Sequence, residues 1–210
     1  RGEYFLDIHP PLGKLILMVA GITMGYNDQI DYDTISAPYP DHTYMVLRYL
    51  PAIFGTLLVP MMYITLRLSN MCRSVASFSK LLLFYTCLAF LIKRLISFTV
   101  SWLLLVENII ITESRYILCD SFLFFFLVAS MAISFKANSQ KVLSIPWIIW
   151  MGTCGVFVGL TVSVKFTGFG LAGAVVVHQL IYLFIHYDRE YEIIFKDVIL
   201  RSILIVVPAV

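Results

Sequence analysis

Charge is what this sequence has least of. Asp, Glu, Lys and Arg make up 13% of its 210 residues, against 60% hydrophobic residues. A soluble domain carries about a quarter charged residues, so this chain has too little polar surface to coat a soluble globule. Its formal net charge of +2 is small and dispersed, which argues against a nucleic-acid partner. Cysteine is also sparse. Cys72, Cys87, Cys119 and Cys154 form no Cys-x-x-Cys pair, and each lies in or beside an apolar run. That distribution fits small buried hydrophobes rather than a disulfide scaffold or a zinc site. The chain has no Asn-x-Ser/Thr acceptor for glycosylation. It begins at Arg1 without a signal peptide and stops inside the apolar run "VILRSILIVVPAV". The expectation is an internal piece of a larger protein.

What the sequence does have is membrane-like: a mean hydropathy of +0.89 and 15% aromatic residues. The predicted fold class is all-α, a polytopic transmembrane helical bundle. Two regions are expected: residues 1–43, a luminal loop with a short interfacial helix, and residues 44–210, the membrane region. The stretch 12–26, "LGKLILMVAGITMGY", is too short at about 1.5 Å per residue to cross a core about 30 Å thick. Spans are predicted over 44–66, 121–135, 145–164 and 169–187, with a further one beginning near 198 after a charged amphipathic joint at 186–197. Residues 81–112 are too many for one straight span. They are predicted to cross once with a kink or overhang rather than to turn back at Lys93–Arg94.

Charge asymmetry sets the orientation. Arg67, Arg73 and Lys80 follow the first span, and Lys136 and Lys141 lie in the loop 136–141. The loop 27–42 holds Asp28, Asp31, Asp33 and Asp41 without Lys or Arg. The basic loops are therefore read as cytosolic and the acidic loop as luminal. "DIHPPLGK" (7–14), "ENIIITESRYILCD" (107–120) and Lys165 then gather on the luminal face. An enzyme at a membrane surface needs polar residues at one end. A transporter or lipid-binding scaffold, the non-enzymatic rival, would string them through the depth.

Four blocks carry a resemblance: "YFLDIHPPLGKLI" (4–16), "LRYLPAIFGTLLVPMMYITLRLS" (47–69), "VENIIITESRYILCDSFLFFF" (106–126) and "GLTVSVKFTGFG" (159–170). In this order they resemble the dolichyl-phosphate-mannose–protein O-mannosyltransferases. The resemblance implies a GT-C fold in the endoplasmic reticulum membrane, multi-pass, with a luminal active site. It implies transfer of mannose from dolichyl phosphate mannose, with inversion, to Ser or Thr of secretory-pathway proteins. It also implies a dimer with a family member, contact with membrane lipid and no resident cofactor. A GT-C enzyme using another prenyl-linked sugar is the second alternative. The family's Asp-Glu motif, its MIR domain and its first and later spans are not in this sequence. The segment alone is therefore expected to be inactive. Phe166 stands where the family commonly has Trp, and residues 80–97 look like an insertion.

Such a reaction needs a carboxylate to take the acceptor proton and cations to meet the leaving phosphate. Asp7 and His9 precede Pro10 and Pro11, which disfavour helix for His9. The block reads either as a stiff active-site wall or as a helix entry. The resemblance favours the wall. Arg48, near the luminal end of its span, is the cation for phosphate or for organising the site; the bland reading is snorkelling to headgroups. With Asp7 and His9 it forms the expected catalytic set. Glu107, Glu113, Arg115, Asp120 and Lys165 are expected to bind substrate. Glu113, Tyr116 and Asp120 are predicted to share one helical face. Arg115 either meets phosphate or pairs with an acid, and Lys165 either contacts phosphate or snorkels. No metal is expected. "DYD" at 31–33 is a short acidic motif, and His178 and His186 stand eight apart without a further ligand.

Overall fold

The computed structural model describes residues 10–26, 42–69, 83–185 and 191–207. Among them are eight α-helices: α1 (Leu12–Thr23), α2 (Met45–Leu68), α3 (Leu83–Val106), α4 (Asn108–Arg115), α5 (Asp120–Asn138), α6 (Ile145–Val164), α7 (Gly168–Ile185) and α8 (Tyr191–Val206). Helices α2, α5 and α6 are long and apolar enough to cross a membrane, and α3 with α4, bent by 52°, counts as a fourth if the pair is one span rather than a re-entrant loop. α1 is a shorter apolar helix. Its Leu15, Met18, Val19 and Ile22 are exposed, as suits a helix lying in an interface.

Lys93 and Arg94 lie inside one unbroken helix that runs on to Val106. The chain therefore does not turn back at these cations, as expected. It bends instead at Glu107, whose extended backbone starts α4 while its carboxylate accepts from Ile109 N at 3.3 Å. Near the other end of α2, Lys93 donates to the Ser69 carbonyl. The guanidinium groups of Arg67 and Arg94 lie 4.8 and 5.2 Å from the Phe90 ring centre.

The core forms where small residues let helices approach. Ala129, Ser130, Ala132, Ser134 and Ala137 of α5 are buried, and Cys154 of α6 packs with its thiol toward the Ser130 carbonyl. Phe54 of α2 makes edge contacts with Phe122, Phe125 and Phe126 of α5. Gly155 marks the crossing of α6 and α8: a Cβ there would lie 2.2 Å from the Leu204 carbonyl oxygen.

α8 begins at Tyr191, earlier than the expected start near 198, and takes in Asp197. The amphipathic-joint expectation fails at Asp197 because the carboxylate is buried rather than solvated. Arg201 holds it with Nε to Oδ1 at 2.8 Å and Nη2 to Oδ2 at 3.3 Å. Arg201 also donates to Asn138 Oδ1 at 2.7 Å and to Gln179 Oε1. Its guanidinium lies 5.2 Å from the ring centres of both Trp147 and Tyr182. This one side chain, 3% exposed, thus ties α8 to α5, α6 and α7.

Candidate functional site

At the opposite end of α5 and α6, three chain segments converge: the start of α1, the connection from α4 to α5, and the connection from α6 to α7. α1 starts at the prolines. Pro11 is its N-cap residue in helical conformation, and its carbonyl accepts from Leu15 N at 2.9 Å. The next turn is seated tightly, since a Cβ on Gly13 would lie 2.6 Å from Cys119 Sγ. Only glycine allows that approach. On the far side, Lys165 is extended (φ −158°, ψ 145°) and ends α6. Gly168 then folds back so closely that a Cβ would lie 2.4 Å from the Thr161 carbonyl oxygen.

These three segments enclose a cavity of about 260 Å³ lined by Pro10, Lys14, Leu17, Ile117, Leu118, Cys119, Asp120, Val164 and Lys165. Lys165 Nζ donates to Asp120 Oδ1 at 2.9 Å, with the two side chains 31% and 21% exposed. Asp120 is also the acidic residue in the first turn of α5, where a negative charge complements the helix dipole. The Cys119 thiol is pushed up from its ordinary pKa, first by burial and then by Asp120, while Lys14 and Lys165 pull it down. Both ammonium groups therefore act on one sulfur. The wall keeps a carboxylate and two cations at one end of the bundle.

Other expected site residues sit around this cavity or apart from it. Glu107 is exposed and caps α4, so it has a structural task of its own. Glu113 is half-buried, and its Oε2 is enclosed with no hydrogen-bond partner among the described residues. Arg115 is exposed in the last turn of α4. Arg48 is exposed near the start of α2, its guanidinium 5.4 Å from the Tyr44 ring centre. Asp7 and His9 lie outside the described residues, just ahead of Pro10 on the cavity rim. The shared helical face of Glu113, Tyr116 and Asp120 is not found. α4 ends at Arg115, Tyr116 is extended (ψ 160°), and Asp120 begins a new helix.

The prediction also missed Lys14 and Cys119 as cavity residues. Lys14 stands within the opening polar block, but its approach to Lys165 depends on how α1 docks, which no local pattern encodes. His178 bonds through Nδ1 with Ser134 Oγ at 2.8 Å and packs against Phe135, a structural role. Among the described residues no three His, Cys, Asp or Glu come together as metal ligands. His186, Asp31 and Asp33 lie outside them.

Comparison with known proteins places the fold. The profile of the family described as dolichyl-phosphate-mannose-protein mannosyltransferase matches residues 1–97 and 72–210. The two matches overlap in the stretch that contains the suspected insertion. Dolichyl-phosphate-mannose–protein mannosyltransferase 1 of Candida albicans is 31% identical over 186 residues, covering 87% of this chain and 19% of the relative. Mannosyltransferase 6 of Saccharomyces cerevisiae is 29% identical over 215 residues, covering 99% of this chain and 25% of the relative. Among solved structures, the S. cerevisiae protein O-mannosyltransferase Pmt1-Pmt2 complex bound to the sugar donor superposes with a TM-score of 0.80 at 25% identity. That match covers 100% of this chain and 26% of the solved one. The chain thus spans about a quarter or less of the length of these relatives.

Proposed function

This chain belongs to the dolichyl-phosphate-mannose–protein mannosyltransferase family, and on that premise we propose that the whole protein moves mannose from dolichyl phosphate mannose to Ser and Thr hydroxyls of secretory-pathway proteins. The observation that carries this reading is the charged cavity at one end of a multi-pass bundle, where Lys14, Asp120 and Lys165 converge. The anomeric carbon is attacked by the acceptor oxygen as its bond to the lipid phosphate breaks. An inverting reaction does this in one displacement, so a base and a phosphate-binding group must act at once. Lys165, positioned by Asp120, meets the growing phosphate charge. Arg48 brings a second cation from α2, and Glu113 offers an unbonded carboxylate oxygen. Asp7 and His9 precede the cavity rim in sequence and position the acceptor. The principal base belongs to the family's Asp-Glu motif. No resident cofactor or metal enters this scheme.

We place the protein in the endoplasmic reticulum membrane with the cavity luminal, in line with the basic loop 136–141 at the other end of α5. A dimer with a family member is proposed on the pattern of the Pmt1-Pmt2 complex. The test is transfer of labelled mannose from dolichyl phosphate mannose to a Ser/Thr peptide by the purified full-length protein. Turnover in the wild type that disappears in Arg48→Ala, with the variant still folded, supports the reading. No transfer by the wild type from this donor overturns it.

A further inference from the structure

Between Thr43 and Val106 the sequence holds no Asp or Glu, yet five of its cations, Arg67, Arg73, Lys80, Lys93 and Arg94, fall within 28 positions. Arg73 and Lys80 lie outside the described residues. The other three stand at the end of α2 and on the adjoining turns of α3. Lys93 is engaged with the Ser69 carbonyl that closes α2. The guanidinium groups of Arg67 and Arg94 share one ring, that of Phe90. Among the described residues no carboxylate pairs with either of them, and Arg67 Nη1 is enclosed without a hydrogen-bond partner. A plain solvated basic face would leave no donor stranded in this way. Two like charges held at one ring repel each other unless an anion joins them, and no side chain of this stretch can supply one.

A cavity of about 390 Å³ opens between the same two helices, lined by Pro60 and Tyr63 of α2 and by Phe98, Trp102 and Leu105 of α3. Phe98 and Trp102 are exposed and stacked, their ring centres 6.4 Å apart. Arg67 stands one turn beyond Tyr63 on α2, and Arg94 one turn before Phe98 on α3. Residues four apart share a helical face, so both guanidinium groups cap the same end of this apolar groove. We propose that the groove holds one anionic phospholipid, its phosphate between Arg67 and Arg94 and an acyl chain along Tyr63, Phe98 and Trp102. An uncharged lipid would leave the cations unmatched, and a soluble anion would make no use of the groove. The leaflet beside the basic loops supplies both chemistries in one molecule. The site lies toward the other end of the bundle from the Asp120–Lys165 cavity, since Thr65 already reaches Val128, two turns into α5. It needs nothing of the mannosyltransferase reading beyond the membrane setting. A bound phosphate neutralises the arginine pair and holds α3 against α2.

The experiment reads Trp102, as the difference in fluorescence between the full-length wild type and Trp102→Phe, in bilayers carrying lipid brominated along its acyl chains. Brominated phosphatidylserine is expected to quench this signal at a mole fraction about fivefold or more below that needed with brominated phosphatidylcholine, the scale of one or two arginines at an anionic headgroup. The preference should shrink as salt rises. Arg67→Gln combined with Arg94→Gln should abolish it while phosphatidylcholine still quenches. Arg67→Lys combined with Arg94→Lys should keep most of it. Arg94 is exposed, so Arg94→Gln alone, expected to weaken the preference, serves if the double variant does not fold. Equal quenching by the two lipids in the wild type overturns the proposal, as does a preference that survives loss of the arginines. Trp102 that neither lipid quenches also overturns it, because a protein segment then covers the groove.

Discussion

Lys165 Nζ and Asp120 Oδ1, 45 residues apart in sequence, sit 2.9 Å from each other and fasten the end of α6 to the start of α5. The pair is partly exposed, so its direct contribution to stability is about 1 kcal/mol or less. Its larger effect is orientation. Asp120→Asn should therefore lower the melting temperature only slightly while reducing mannosyl transfer at least tenfold. Thermal unfolding and turnover measured on the same full-length preparation check this. Equal losses in both would make the pair structural.

Gly55 and Ser114 form the contact that seats α4. A Cβ on Gly55 would lie 2.6 Å from Ser114 Cβ. Gly55→Ala should destabilise the protein by about 1–3 kcal/mol through overpacking. Ser114→Gly in the same chain should recover most of that loss, although a helical glycine itself costs about 1 kcal/mol. Chemical denaturation of the two single variants and the double variant reads the coupling.

Arg201 and Asp197 are both buried. Removing one partner leaves the other charge stranded, a loss of about 3–5 kcal/mol. Arg201→Met alone should thus be severely destabilised. Arg201→Met combined with Asp197→Leu should be far milder, because no buried charge remains. Expression level and melting temperature in detergent distinguish the two cases.

Much of the fold was legible in the sequence because long apolar runs have few alternatives in a membrane. The limits of α2 and α6 fall close to the predicted spans 44–66 and 145–164. That the chain does not turn back at Lys93 and Arg94 was also readable, since two spans would have inverted the charge pattern of the loops. The site was less legible. Pairing Asp120 with Lys165 requires knowing that two helix ends meet, and periodicity reports only neighbours on one helix. The same blindness placed Glu113 and Asp120 on one face, where Tyr116 breaks the helix. It also put Asp197 in a charged amphipathic joint ahead of the last span, where α8 takes it in and turns it onto Arg201. At Asp197, tertiary contact overrode a local pattern.

Cys119 supplies a pH-dependent test. Burial and Asp120 raise its pKa, whereas a free cysteine ionises near about 8.5. Only the thiolate reacts, so maleimide labelling of Cys119, in a chain whose other cysteines are replaced, should lag behind free cysteine and rise only at higher pH. Lys14→Gln removes a cation that lowers this pKa and should slow labelling further. The linkage has the matching sign: the folded state favours the neutral thiol, so this contribution to stability is full below the unfolded pKa and fades as pH rises through the folded one. Labelling rates between pH 7 and 10 decide the matter.

The contact between Gly13 and Cys119 also bears on inhibition. There is no room for one methyl group between α1 and that sulfur, so a covalent adduct must grow into the neighbouring cavity or displace α1. A compound that bonds to Cys119 and is too large for the cavity would work as a wedge, prising α1 and Lys14 away from the bundle. Such a compound need not resemble a sugar or a phosphate. Its potency would follow the frequency with which α1 lifts by thermal motion, so competition with the donor would appear as slowed inactivation and not as displacement.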